Sequence, residues 1–387
     1  MNSRVARTPK GRRAGMILVQ SRATDDAVEL NILVLPGDGI GTEVTREAVR
    51  VLERVADRFG HRLNLRRALL GGAAIRETGS PFPPETERLA READATLMGA
   101  VGLPEFDAAP PERRPEKGLL ALRRALGVYA NLRPVRAYKA LLDSSPLKNR
   151  LVEGADMLIV RELTGGLYYG TPRGVCGQGA DERGVNTMTY TRAEIERVAR
   201  VGFALARKRR RKLVSVDKSN VLETSQLWRR VVVEVSKDFP DVALEHLLVD
   251  NCAMQLITDP RRFDVLLTEN LFGDILSDEA AVLAGSIGML PSASIGDRRP
   301  SGAWAGLYEP VHGSAPDIAG RNLANPLGAI GSAAALLEYS FGLCEEAAAV
   351  NAAVEKVLDA GQVTADLRPQ GSPFGTDAVG QAVASLI

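Results

Sequence analysis

Apolar residues along this chain fall into two alternating rhythms. Short β-rich runs recur at 32–35 (ILVL), 95–102 (ATLMGAVG), 156–163 (DMLIVREL), 212–221 (KLVSVDKSNV) and 242–250 (VALEHLLVD), and again at the start of 263–285 (FDVLLTENLFGDILSDEAAVLAG). Runs of this length read as buried strands. Between them the apolar positions step by three and four. Val44, Ala48, Val51, Leu52 and Val55 predict a helix directly after the first strand, and 192–212 (RAEIERVARVGFALARKRRRK) predicts a second amphipathic helix with a basic end. A basic last turn suits the negative end of the helix dipole. Strands alternating with helices predict an α/β architecture with substantial parallel sheet. No internal repeat or low-complexity segment interrupts the pattern.

Composition narrows the classes. A chain of 387 residues predicts two domains with sizeable cores. Its 49 basic and 48 acidic residues nearly cancel, so no global field points to nucleic acid or a membrane surface. Arg207–Lys212 is a local basic run, but no aromatic residues are interleaved with it, and it reads as a solvated helix end. Cys176, Cys252 and Cys344 are widely spaced, which argues against a disulfide framework or zinc site and for a reducing compartment. No apolar run approaches the roughly 20 residues of a membrane span. The basic N-terminus, residues 1–30, stands apart: its first 24 residues carry Arg4, Arg7, Lys10, Arg12, Arg13 and Arg22 and no acid. It fits a disordered tail, a start at Met16, or an organelle-targeting segment; a cytoplasmic location is expected unless it is the last.

Candidate chemistry gathers at strand ends. The turn PGDGIG (36–41) has G-x-G-x-G spacing rather than the dinucleotide fingerprint, and no Walker lysine follows, so a tight turn needing positive φ is an equal reading. Arg123, Arg133 and Arg161 offer planar forks suited to carboxylates. Arg161 ends an apolar strand, where open α/β sheets bind ligands. Tyr168, seven residues later behind a Gly-Gly turn, is a candidate proton donor or a packing residue. Lys218 and Asp250 also end strands. In FGDILSDEA (272–280), Asp274 and Asp278 lie four residues apart and share one helix face. Such a like-charge pair costs about 0.2–0.5 kcal/mol in an isolated helix, so either water solvates both or a cation sits between them. With Asp250 they offer oxygen ligands for a hard divalent ion.

The segments LPGDGIGTEV, GLLALR, ANLRP, VRELTGGLYYG, VDKSNVL, NLFGDILSDEAA, GMLPSAS and YEPVHGSAPDIAG follow one another in this order. Together, from about residue 31 to the C-terminus, they resemble the isocitrate/isopropylmalate dehydrogenase family of metal-dependent β-decarboxylating dehydrogenases. The resemblance implies a two-domain, non-Rossmann α/β fold with mixed sheets flanked by helices. Residues 31–128 and 285–387 would form the cofactor-binding domain, and 129–284 the second domain with the dimer interface and metal ligands. It implies oxidation of a 2-hydroxyl by NAD, then loss of CO2 and reprotonation of the enol. Arg123, Arg133 and Arg161 would hold the malate carboxylates, and Asp250, Asp274 and Asp278 would bind Mg2+ or Mn2+. Lys218 would be the base, acting through water or a neighbouring aspartate, and Tyr168 the proton donor. In this family the lysine and the Asp250-type ligand come from the second subunit of a homodimer.

Selectivity is also implied. Leu119 and Leu120, with Val221 nearby, would meet the substrate's 3-substituent, and apolar walls favour isopropyl. The expected reaction is therefore 3-isopropylmalate to 4-methyl-2-oxopentanoate and CO2, a step of leucine biosynthesis. His312, Gly313, Ser314, Ala315 and Asn325 would line the nucleotide. Asp317 and Ile318 would read the ribose, the acid favouring NAD over NADP. Thr42, Leu103, Glu105 and Met188 depart from the family pattern, as does an insertion at 297–304. Alternatives are a relative acting on tartrate, malate or homoisocitrate, or a non-catalytic regulatory subunit. The retained Lys218, Tyr168 and aspartates argue against the regulatory subunit, and the intact GSAPDIAG against a lyase working without nucleotide.

Overall fold

The computed structural model describes residues 27–298 and 304–387, so residues 1–26 of the basic N-terminal segment and most of the 297–304 insertion lie outside the described residues, while Glu29 and Leu30 of that segment already belong to the first strand. The first half of the chain forms β1 (Glu29–Gly37), α1 (Gly41–Phe59), β2 (Arg62–Arg67), α2 (Gly71–Thr78), α3 (Pro84–Glu92), β3 (Ala95–Ala100), α4 (Pro115–Leu126) and β4 (Ala130–Arg136). Then come α5 (Asn149–Val152), β5 (Asp156–Glu162), the ribbon β6 (Gly174–Cys176) and β7 (Arg183–Val185), α6 (Arg192–Lys208), β8 (Lys212–Asp217) and α7 (Glu223–Ser236). They are followed by β9 (Ala243–Leu248), α8 (Val249–Thr258), β10 (Val265–Thr268) and α9 (Asn270–Ala281). β11 (Pro291–Arg298), β12 (Trp304–Pro310), α10 (Leu327–Leu336), α11 (Cys344–Asp359) and α12 (Thr376–Ser385) complete the chain.

Periodicity and structure agree where burial is strongest. Val44, Ala48, Val51, Leu52 and Val55 are all fully buried on α1, which stops at Gly60 in the left-handed conformation. α6 begins with a capping box, Thr191 and Glu194 satisfying each other's backbone N–H. Its basic end is a structural clamp: Arg207 pairs with Asp241, and Arg209 with Asp156 and Asp264. No helix among the described residues is long and apolar enough to cross a membrane.

Among the described residues ten strands form one mixed sheet in the order β2-β1-β3-β12-β11-β4-β5-β10-β8-β9, and β6–β7 make a separate exposed ribbon. The sheet holds two parallel blocks, β2-β1-β3-β12 and β5-β10-β8-β9, joined through antiparallel pairings at β12–β11, β11–β4 and β4–β5. The segments 31–128 and 285–387 supply one half of this sheet and 129–284 the other, meeting at β11–β4. The C-terminal ends of the second block carry Arg161 at the end of β5, α9 after β10, Lys218 after β8 and Asp250 after β9. Those of the first block carry the PGDGIG turn and the 311–326 segment.

Candidate active site

Arg161 is the penultimate residue of β5 and is only 2% exposed. Its Nη1 donates to Asp274, and its Nε and Nη2 donate to Asn270 Oδ1 at 2.9 and 2.7 Å. Arg133, on β4, reaches the same helix: its Nη2 lies 3.3 Å from Asp274 Oδ1, and its Nη1 lies 3.3 Å from Asp278 Oδ1 and 2.5 Å from Ser277 Oγ. Tyr168 Oη donates to Asp274 Oδ2 at 2.7 Å. Arg123, in the last turn of α4, pairs with buried Glu309 at 2.5 Å. Leu119 and Leu120 sit one turn earlier on α4, on the face that carries Arg123, and are half-buried. The structure therefore brings three arginines, the tyrosine and two aspartates together along α9.

Local sequence explains the placement. Glu269 caps α9 by accepting the N–H groups of Leu271 and Phe272, and Tyr190 Oη donates to the same carboxylate. A Cβ at Gly273 would lie 2.2 Å from Thr268 Oγ1 and 2.7 Å from Arg161 Cγ, so only glycine lets α9 settle on Arg161.

Electrostatics separate the two aspartates. Burial alone would raise Asp274, but Arg161 and Arg133 outweigh it and hold the carboxyl below its ordinary range. Asp278 is raised by burial and by the charge on Asp274, with Arg133 opposing. Burial, reinforced by the bond to Asp274, pushes the Tyr168 phenol up to about 12, so it keeps its proton at neutral pH. Arg161 falls to about 10 through burial and its arginine neighbours, and stays charged.

Lys218 and Asp250 lie apart from this cluster. They pair with each other at 2.8 Å, with Asp250 65% exposed, and Lys218 holds Asp250 below its ordinary range. β9 is three strand intervals from β5, about 14 Å at ordinary sheet spacing. Among the described residues of one chain, no three His, Cys, Asp or Glu side chains cluster closely enough to hold a metal. Asp274 and Asp278 nevertheless have the right chemistry for a hard divalent cation: two hard carboxylates side by side whose shared positive neighbour, Arg133, lies 3.3 Å from each of them. Val221, in the turn after Lys218, is 61% exposed. So are Met254 on α8 and Ile275 on α9, at 55% and 58%.

The residues expected on the nucleotide side lie along 311–326. Ser314 is anchored by Ile40 N–H donating to its carbonyl at 2.8 Å, and Ala315 follows at φ +35°. His312 is buried, which lowers its pKa and keeps the ring neutral; Nδ1 bonds the Gly313 carbonyl and Nε2 has no partner. A Cβ at Gly313 would meet open space, and Asp317 is exposed beside half-buried Ile318. Asn325 is held by Asp366 at 3.1 Å. An orphaned buried ring nitrogen beside open backbone fits a nucleotide base there.

The PGDGIG turn is a junction. Gly37 and Gly39 have positive φ, and a Cβ at either would strike a carbonyl oxygen at 1.9 or 2.0 Å. Asp38 accepts the N–H groups of Gly72, Ala73 and Gly102, tying α2 and the loop after β3 to β1. Three departures from the family pattern find local partners: Thr42 Oγ1 bonds the Gly39 carbonyl, Glu105 forms a two-pronged pair with Arg76, and Met188 Sδ accepts from Thr224. Leu103 covers Gly72. Sequence reasoning missed Asp38, Asn270, Gly273 and Glu309. Their neighbours drew attention through charge or strand position, whereas these four act through partners distant in sequence.

An α/β sheet of two parallel blocks, with an arginine–carboxylate cluster at the strand ends of one and an open loop at those of the other, is the architecture of an enzyme acting on an anionic small molecule. A family model for isocitrate/isopropylmalate dehydrogenase matches residues 31–383. A protein of Geobacillus kaustophilus named 3-isopropylmalate dehydrogenase is 60% identical over 340 residues, 88% of this chain and 90% of that one. One of the same name from Aquifex aeolicus is 53% identical over 340 residues, covering 88% and 92%. The crystal structure of isocitrate dehydrogenase from Methylococcus capsulatus superimposes with a TM-score of 0.81 at 34% identity, covering 92% of this chain and 99% of its own. The chain belongs to the isocitrate/isopropylmalate dehydrogenase family, and its fold is the α/β fold of that family.

Proposed function

We propose that the chain oxidises and decarboxylates 3-isopropylmalate with NAD and Mg2+ or Mn2+, giving 4-methyl-2-oxopentanoate and CO2 in leucine biosynthesis. Identity of 53–60% to relatives named 3-isopropylmalate dehydrogenase supports the substrate. The observation that carries the chemistry is the convergence of Arg161, Arg133 and Tyr168 on Asp274. Arg123, Arg133 and Arg161 hold the substrate carboxylates, with Leu119 and Leu120 forming an apolar wall beside Arg123. Asp274 and Asp278 are two of the cation's ligands. When bound, the cation supplies Lewis-acid stabilisation of negative charge developing on the substrate oxygen. Tyr168, protonated at neutral pH, delivers its proton to the enol carbon. His312, Gly313, Ser314, Ala315 and Asn325 line NAD, and Asp317 with Ile318 reads its ribose.

Lys218 removes the hydroxyl proton and Asp250 completes the ligand set, both from a second copy of the chain. Their exposure, their distance from α9 and the bare apolar side chains of Val221, Met254 and Ile275 support a homodimer with shared sites. Val221 then enters the partner's substrate pocket. We read the β11–β4 seam as the boundary between the two domains.

The test is NADH formation at 340 nm with 3-isopropylmalate, malate, tartrate, isocitrate and homoisocitrate, with and without Mg2+. Preference for 3-isopropylmalate that is lost on chelation is expected; preference for another acid overturns the substrate. Lys218→Ala and Tyr168→Phe should each be inactive as homodimers, and mixing them after dissociation should restore about a quarter of the sites, a random-pairing estimate for isologous dimers. Mixing without recovery overturns the shared site.

A further inference from the structure

Asn270, the first residue of α9, is fully buried and uses its whole side-chain amide. Its Oδ1 accepts from Arg161 Nε and Nη2, at 2.9 and 2.7 Å. Its Nδ2 donates to the carbonyls of Leu163 and Gly165, at 3.2 and 3.0 Å. The amide orientation is forced, because a guanidinium can only donate and a carbonyl can only accept. Two of the five guanidinium N–H groups are thereby fixed and the plane of the fork is set, with Nη1 directed to Asp274. Leu163 and Gly165 open the turn that carries Tyr168, whose hydroxyl meets the same Asp274. One side chain therefore grips both the guanidinium and the turn. Aspartate lacks the donors and leucine lacks both functions.

We propose that Asn270 is a positioning residue with two separable tasks: its carbonyl orients Arg161 toward the substrate carboxylate, and its N–H groups set the turn that aims Tyr168. This rests on the roles of Arg161 and Tyr168 proposed above. The cofactor segment 311–326 is outside its contacts, so the effect should fall on substrate and proton transfer alone.

Asn270→Asp and Asn270→Ala separate the tasks. Aspartate keeps an acceptor for Arg161 but turns lone pairs toward the Leu163 and Gly165 carbonyls; alanine removes both contacts. With the full-length chain, Asn270→Ala should raise KM for 3-isopropylmalate about tenfold and lower kcat about tenfold, because it removes the hydrogen bonds to Arg161 and to the 163–165 turn together. Asn270→Asp should leave that KM within about threefold of wild type yet lower kcat by about tenfold. KM for NAD should stay within about twofold in both, and amide exchange across 163–170 should quicken in both. Equal KM changes in the two variants overturn the carbonyl task, and wild-type kcat in Asn270→Asp overturns the amide task. If Asn270→Ala does not fold, the split between KM and kcat in Asn270→Asp decides alone. If the wild-type chain does not turn 3-isopropylmalate over, the proposed function falls. Calorimetric titration of malate and exchange across 163–170 then still test Asn270: weaker malate binding in the alanine than in the aspartate variant upholds it, and equal binding overturns it.

Discussion

Gly273→Ala sets two opposed effects against each other. Alanine in a helix interior is favoured over glycine by about 0.8–1 kcal/mol, so propensity alone predicts a stabilised α9. The added Cβ, however, would lie 2.2 Å from Thr268 Oγ1 and 2.7 and 2.8 Å from Arg161 Cγ and Cβ. Carbon atoms pack best at about 3.5–4 Å, and both neighbours are held rigidly: Thr268 is fully buried and Arg161 is 2% exposed. Neither offers a flexible end that can swing away, because the clash falls on atoms next to their backbones. Overpacking of this kind costs about 1–3 kcal/mol, which exceeds the propensity gain over most of its range. The expected outcome is a loss of up to about 2 kcal/mol, read as a lower urea midpoint at unchanged slope. Relief of the clash must push α9 and Arg161 apart, so KM for the substrate should rise about tenfold, the equivalent of 1.4 kcal/mol. A higher midpoint with wild-type KM would refute the reasoning, because it would mean that propensity wins and that α9 does not bear on Arg161.

Asp278→Asn should weaken Mg2+ or Mn2+ binding in a calorimetric titration, and an unchanged isotherm would remove Asp278 from the ligand set. Asp317→Lys combined with Ile318→Tyr should shift the ratio of kcat/KM values from NAD toward NADP, and an unchanged ratio would mean that the ribose is read elsewhere. His246, on β9, is lowered by burial and then by Arg229, with Asp217 opposing. The unfolded chain takes up a proton at His246 near pH 6.5 while the folded chain resists, so stability falls as pH drops from about 6.5 through the folded value. Urea midpoints at pH 7.5 and 5.5 should therefore differ less in His246→Gln than in wild type, and an equal difference would acquit this histidine.

β1, β5 and β10 were legible because each buries an unbroken apolar run, ILVL at 32–35, MLIV at 157–160 and VLL at 265–267. The middle of the sheet was not. β11 reads PSASIGDR and β4 reads ANLRPVR, with no apolar run to mark them as central strands. They are buried all the same, because Asn131 Nδ2 reaches Ser292 and Ser294, and its Oδ1 receives Arg133 Nε. A polar ladder that satisfies itself costs little when buried, but hydrophobic periodicity does not register it. The site divides in the same way. Charged residues at strand ends stood out, whereas Asn270 in TEN and Asp38 in PGDGIG act through hydrogen bonds to residues more than thirty positions away. Lys218 and Asp250 show a further limit, since one chain pairs them with each other rather than with α9.

The like charges on α9 make sense once the whole cluster is considered. Arg123, Arg133 and Arg161 face Glu309, Asp274 and Asp278, so the assembled group is formally neutral and the repulsion between Asp274 and Asp278 is already compensated. The compensation is uneven. Arg161 grips Asp274 closely, while Arg133 is 3.3 Å from each aspartate and is committed to neither. A substrate with two carboxylates would leave this half-buried cluster with two excess negative charges, each worth about 4 kcal/mol at 4 Å in surroundings of intermediate dielectric. A divalent cation alone would leave two excess positive charges. Only the two together preserve neutrality. In that arrangement Asp274 and Asp278 would hold the cation, and Arg133 would be free to meet the substrate. The four-residue spacing in FGDILSDEA costs a few tenths of a kcal/mol on an isolated helix, and on the proposed function that cost would be offset by tying cation entry to substrate entry.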